Sequence, residues 1–221
     1  MKRIVKSNDH IQLRIKSWVA RAKRKKQADW EHFSRESAGD GIHAATKQAL
    51  LGEQGGICCY CERDIVGLPS HIEHFQSRDR HPQRMFDYAN LHASCDGFPN
   101  KEENCCGHKR AQHRRPRNPE IPVSPLDGDC ETRFRFTRLG AIKPRSDDDQ
   151  GAADTIGILG LDSKKLRAMR RALFRELRSY REGMAPDAFT DYVAVKLQPD
   201  KDGHFPGFFT TIRQYAEELC G

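Results

Sequence analysis

With 221 residues, 37% of them hydrophobic and 31% charged, the chain is long enough for one domain with a real core or two small ones. No run of about 18 apolar residues occurs, so no transmembrane helix is predicted; the basic start, MKRIVKSNDHIQLRIKSW, lacks the apolar stretch of a signal peptide, and a cytoplasmic protein without a membrane partner is expected. The net charge of +7 suits a polyanionic partner, but simple solubility explains it equally well, so the motifs must decide.

Residues 11–37 read as a polar helical tract in which RIKSWVARAKRKK carries seven basic residues from Arg14 to Lys26 and no acid. Such a face either meets phosphates or is simply solvated. Trp18, Trp30 and Phe33 are its expected anchors in the core or at an interface. A second helix is predicted from about His43 to Glu53, with Ala45, Ala49 and Leu50 on one face, ended by GEQGG. From Ile57 to about Pro125 the chain is rich in Cys, His, Pro, Asn and Arg and poor in aliphatic residues. Such a segment needs a cross-link, and a bound metal is the expected one; losing it should unfold the middle third locally. RFRFTRLGAIKP, residues 133–144, alternates around LG and predicts a β-hairpin. SDDDQGAAD reads as a polar loop. A long helix follows, capped by Asp162 or Ser163, with an apolar stripe of Leu166, Met169, Leu173, Leu177 and Tyr180. Its other face is basic: Lys164, Lys165, Arg167, Arg170, Arg171, Arg175, Arg178 and Arg181. FPGFFTTIRQYAEEL predicts a final packing helix.

Eight cysteines in a reducing compartment point to metal before disulfides. Cys58 and Cys61 form a CxxC pair in CCYC, a turn that lets both thiolates reach one tetrahedral ion. Cys95 closes NLHASC, and NCCGHK supplies Cys105 and Cys106. The expected zinc ligands are Cys58, Cys61, Cys95 and Cys106, with Cys105 in reserve and Cys59 as a packing residue. Cys130 and Cys220 are isolated and receive no role. The competing reading is a set of buried free thiols. Between the two cysteine groups lies HIEH, where Glu73 and His74 project to opposite faces of a strand.

Taken in order, ALLGEQGGICCYCERDI, SHIEHFQS, DYANLHASC, CCGHKR, SPLDGDCETRFRFTRLGAI and DTIGILGLDSKKLRAMRR resemble the ββα-metal (HNH) nucleases, and within them the retron-associated and Septu-type, PtuB-like branch. The resemblance spans roughly Trp30 to Arg181. It implies an α+β protein: a zinc-stabilised ββα-metal core at 55–125, an N-terminal helical segment at 1–54, and a hairpin with C-terminal helices at 126–221. By motif position His74 is the general base, Glu73 binds a catalytic divalent ion, and Asn90 is the middle Asn that holds the base-bearing loop. In many such enzymes a His or Asn directly follows the last zinc cysteine, whereas this chain has Gly107 there. His108, one residue on, is the expected further ligand, ahead of His71, which shares Glu73's strand face. His81, His92 and His113 carry no argument beyond position.

The chemistry is coherent without the resemblance. Phosphodiester hydrolysis needs an activated water, which a neutral imidazole can supply. It also needs charge neutralisation, which Mg²⁺ or Mn²⁺ supplies. HKRAQHRRPR, residues 108–117, adds five Lys/Arg residues suited to phosphate, and charge reversal at Arg114 and Arg115 should weaken nucleic-acid binding. The expectation is a metal-dependent endonuclease acting on nucleic acid, DNA before RNA, in antiphage defence. The resemblance implies an ABC/SMC-like ATPase partner, and the chain itself has no GxxxxGK[ST] motif. A zinc-stabilised nucleic-acid-binding or adaptor subunit without cleavage is the alternative.

Overall fold

The computed structural model describes residues 1–36, 41–100, 103–113 and 118–220. Within these the fold is mixed α/β, with two small antiparallel sheets set among helices. The first helix, α1, spans Asp9–Arg24 and is capped by Asn8, whose side chain accepts from the Ile11 amide. Ile11, Ile15, Trp18 and Ala22 are its buried residues, at the spacing of one helical face. The tract expected to be continuous over 11–37 is two helices. Lys26 turns into the left-handed region at φ 56°, and Asp29 caps a new helix, α2, at Trp30–Arg35. The break lets both tryptophans reach one aromatic cluster: Trp18 and Trp30 each pack on Phe33, at ring distances of 5.1 Å and 5.0 Å. Such pairs add about 0.5–1.5 kcal/mol each beyond the area they bury.

Helix α3 spans Ile42–Glu53, close to its predicted limits. Leu50 is buried as expected, but Ile42 and Thr46 complete the buried face, and Ala45 and Ala49 are half-buried beside it. The chain then passes through the CCYC turn to β1, Ser70–His74, which pairs antiparallel with β2, Leu91–Cys95. Glu73 stands opposite His92, and His74 opposite Leu91. A short helix, α4, follows at Cys106–Ala111. All five residues of β2 are buried, because α3 and α4 both pack against it.

The hairpin is β3, Phe134–Phe136, paired with β4, Ile142–Pro144. Gly140 sits in its turn at φ 81°, where a Cβ would lie 2.0 Å from the Arg167 carbonyl oxygen, so only glycine lets the turn approach the next long helix this closely. The polar loop expected at 146–154 is in part a helix. Asp149 accepts from the Ala152 amide and caps α5, Gln150–Leu159, while Arg133 grips the same carboxylate. Burial of Ala152, Thr155 and Leu159 outweighs the weak helix propensity of the two glycines in that stretch.

Helix α6 spans Lys164–Gly183, and Ser163 is its cap. Asp162 instead pairs with Arg167. The expected apolar stripe is displaced: the buried residues are Leu166, Arg170, Phe174 and Leu177, whereas Met169 and Tyr180 are exposed. Arg170 belongs to the core and not to the basic face, because its guanidinium donates to the carbonyls of Gly140 (2.7 Å) and Leu161 (2.9 Å). Two further helices, α7 at Pro186–Lys196 and α8 at Phe209–Cys220, pack on α6 and on each other. Helix α8 is tied to the hairpin by Gln214, which bonds both polar backbone groups of Phe136. No helix among the described residues is long and apolar enough to cross a membrane.

Candidate active site and metal centre

The ligand atoms of Cys58, Cys61, Cys95 and Cys106 all lie within 4.8 Å of one another, and all four residues are buried. The Cys58–Cys106 and Cys61–Cys95 sulfur pairs are each 3.7 Å apart. A disulfide needs about 2.05 Å. Four sulfurs placed about 2.3 Å from one tetrahedral ion stand about 3.8 Å apart, so the observed spacing suits a metal. Cys106 takes φ 60°, which is strained for a side chain with a Cβ and is the conformation in which its thiol meets Cys58. Cys105 is buried at the helix cap but is not one of this set. Cys59 is buried, Cys130 lies near the Met1 and Pro125 carbonyls, and Cys220 is exposed.

Beside this cluster a cleft of about 550 Å³ is lined by His71, Glu73, His74, Asp96, His108 and Arg110, with Trp30 and Arg78 on its wall. His74 is buried, its ring edge-on to Trp30 at 4.3 Å, and its Nε2 lies 2.9 Å from the Met85 carbonyl oxygen. A carbonyl only accepts, so Nε2 carries the proton and Nδ1 the lone pair. Burial pushes the His74 pKa down to about 4, against the opposing pull of the Met85 carbonyl. Asn90 holds the surrounding loop: its Oδ1 accepts from the Gln76 amide at 2.7 Å, and its Nδ2 donates to the carbonyls of Gln76 and Arg84. Arg84 directly precedes Met85, so the Asn90 amide fixes the neighbour of the group that orients His74.

Glu73 is mostly buried. Burial alone would raise its pKa, but a hydrogen bond from His71 and the Arg110 charge overcome that and hold it below the usual carboxylate value. Arg110 reaches Glu73 Oε1 at 3.1 Å and donates to the His74 and Pro119 carbonyls. His71 shares Glu73's face, with Nε2 3.4 Å from Glu73 Oε2 and Nδ1 2.7 Å from Asp96 Oδ1. Against the lowering effect of burial, these two carboxylates raise its pKa to about 9. His108 stands across the cleft mouth, its Nε2 3.6 Å from Asp96 Oδ1 and its ring 5.0 Å from that of His71. A Cβ on Gly107 would lie 2.6 Å from Glu73 Oε2 and 2.7 Å from His71 Nε2. A side chain at position 107 would press on both groups, and glycine leaves the space beside Glu73 clear.

The sequence therefore named Glu73, His74, Asn90 and His108, with His71 ranked after His108, and the fold brings the four titratable ones to one cleft with Asn90 behind it. It passed over Asp96 and Arg110 as site residues. Asp96 had one readable signal, its place directly after Cys95, as His108 follows closely on Cys106. His81 pairs with Glu120, His113 lies 3.2 Å from the Ile158 carbonyl, and His92 is buried with neither ring nitrogen bonded. Arg114 and Arg115 lie outside the described residues.

Fold and site together define a small mixed α/β protein with a four-thiol centre that could hold a metal ion, set against a polar cleft of imidazoles and carboxylates. No family model matches the chain. A curated protein of Vibrio cholerae serotype O1 biovar El Tor, named "Retron Vc95 putative HNH endonuclease", is 25% identical over 144 residues, covering 62% of this chain and 67% of that protein. This similarity supports an HNH, retron-associated family for the chain.

Proposed function

We propose that the protein is a metal-dependent HNH endonuclease that hydrolyses phosphodiester bonds, DNA before RNA, and that β1, β2 and α4 form its ββα-metal core. The observation that carries this reading is His74, protonated on Nε2 by its bond to Met85 and set beside Glu73 in an open cleft. Its free Nδ1 takes a proton from water. The water oxygen then attacks phosphorus, and the bond to the leaving 3′ oxygen breaks with its electron pair. Arg78, exposed on the cleft wall, suits a non-bridging phosphate oxygen. Glu73 and His108 would hold a divalent ion, Mg²⁺ or Mn²⁺, which when bound neutralises charge on the phosphorane and the leaving oxygen. The room kept beside Glu73 by Gly107 fits such an ion. Zn²⁺ at the four cysteines would be structural, since four thiolates leave no open position.

Replacing His74 by Ala should lower cleavage of plasmid, single-stranded DNA or RNA by about 10²–10⁴-fold while leaving fold and nucleic-acid binding intact. Activity within a few-fold of the unaltered protein would move the base elsewhere. Binding without cleavage by any form of the complex would favour a non-cleaving nucleic-acid-binding subunit. The proposed setting is antiphage defence beside an ABC/SMC-like ATPase. Support for a partner comes from the exposed basic face of α6; the chain has no GxxxxGK[ST] motif, so if ATP is used the partner supplies its site.

A further inference from the structure

Asp96 and His71 have no part in the pair of ligands just described, yet both stand where an ion would sit. The ligand atoms of His71, Asp96 and His108 all lie within 4.8 Å of one another, and all three residues line the cleft. Glu73 joins them through His71, 3.4 Å away. The imidazole of His71 is thus wedged between two carboxylates, on one nitrogen by Asp96 and on the other by Glu73. A divalent cation beside Asp96 satisfies such a set better than a single imidazolium does, because it neutralises that carboxylate and takes a nitrogen from each of His71 and His108, while the other His71 nitrogen keeps its place beside Glu73. The neighbouring structure supplies the rigidity. Asp96 follows Cys95 directly, and His108 comes two residues after Cys106, so both are anchored by the four-thiol cluster. Gly107 leaves the space between Glu73 and His71 free of side chain.

We infer that Asp96 and His71 join His108 as direct ligands of the divalent ion, and that this imidazole-rich seat beside Glu73 selects Mn²⁺ and the later transition ions over Mg²⁺. The inference rests on the nuclease reading only for what the ion is used for. Its chemical ground is ligand type: carboxylates and water suffice for Mg²⁺, whereas imidazole nitrogen favours transition ions. A site of Glu73 and His108 alone would discriminate far less.

The test uses the full-length protein with its cysteine-bound metal retained and quantified. Free Mn²⁺ is followed by electron paramagnetic resonance during titration, and Mg²⁺ is then added as competitor. One Mn²⁺ per chain is expected at this seat, displaced only by a large excess of Mg²⁺. Replacing Asp96 by Ala should weaken Mn²⁺ by about tenfold or more. His71→Gln should weaken Mn²⁺ more than Mg²⁺ and so narrow the preference. His108→Gln should do the same. Asp200→Asn, in the separate surface group Asp200, Asp202 and His204, should change nothing. Unaltered Mn²⁺ affinity in both Asp96→Ala and His71→Gln would overturn the inference, even if the enzyme cleaves with an ion bound elsewhere. Mn²⁺ binding that is lost with Asp96, in a protein that cleaves no nucleic acid, would uphold the seat and reject the nuclease.

Discussion

The proton affinity of the His74 imidazole is set by its surroundings. Buried against Trp30, it is pushed from the free imidazole value of about 6.5 to about 4. A lowered pKa keeps the ring neutral at every pH above about 4, so the competent form dominates well into the acid range. At saturating divalent ion, kcat/KM should therefore stay level from neutrality down to about pH 5 and fall below it, about tenfold per pH unit once past the pKa. A break between pH 6 and 7, at the free-imidazole value of about 6.5, would mean that the catalytic group is not this buried ring. What could be read of such residues from the sequence was their chemistry and order. HIEH and NL pointed to Glu73, His74 and Asn90 through the resemblance those motifs carry, and the fold sets the first two in the cleft with Asn90 behind it. Arg110 was unreadable as a site residue because its part depends on a tertiary approach: it crosses from α4 to Glu73 on β1. Inside a basic strip it looked like one more phosphate contact.

At the scale of elements, periodicity gave α3 and the 134–144 hairpin well, since each is decided by local pattern. It failed where packing overrode pattern. Helix α5 hid in an acidic, glycine-containing stretch whose cap, Asp149, needs Arg133 from the hairpin region to hold it. On α6, Arg170 looked solvent-facing and is buried, which turns the helix so that Met169 and Tyr180 face outward. That rotation strengthens the proposal of a docking face. Arg171 and Arg175 are exposed on a helix that also presents these two apolar side chains, a mixture suited to an acidic protein surface better than to water alone. Reversing the charge of Arg171 and Arg175 to Glu should weaken co-purification with the proposed ATPase partner while leaving Mn²⁺ binding at the cleft unchanged. Recovery of the complex at the unaltered protein's yield would remove α6 from the interface.

For the whole molecule the question is how much of the fold depends on the four-thiol centre. Composition alone argued that residues 57–125 are too poor in aliphatics to stand unaided, and that losing the ion would unfold that third by itself. Burial alters the argument. Tyr60, Leu91, Ala93 and Val123 from this segment lie in the same core as Ile15 of α1, Leu50 of α3, Leu161 before α6 and Tyr215 of α8. The cysteines are buried inside that core, not beneath a separate lobe. Structural zinc sites contribute about 10–16 kcal/mol of apparent binding free energy at pH 7. A domain's entire stability is about 5–15 kcal/mol. Losing the ion should therefore exceed what the flanking helices can make up. Cys58→Ser should abolish zinc binding at the four-thiol centre and collapse the thermal transition of the whole chain, α1 and α8 included, in one cooperative step. Hydrogen exchange would report this as lost protection in Ile11–Ala22 and Ile212–Ala216 together with β2. Protection lost only between residues 57 and 125 would restore the local picture. A zinc-free variant melting within about 3 °C of the unaltered protein, a difference of about 1 kcal/mol at this size, would show that the thiols are packing residues and not ligands.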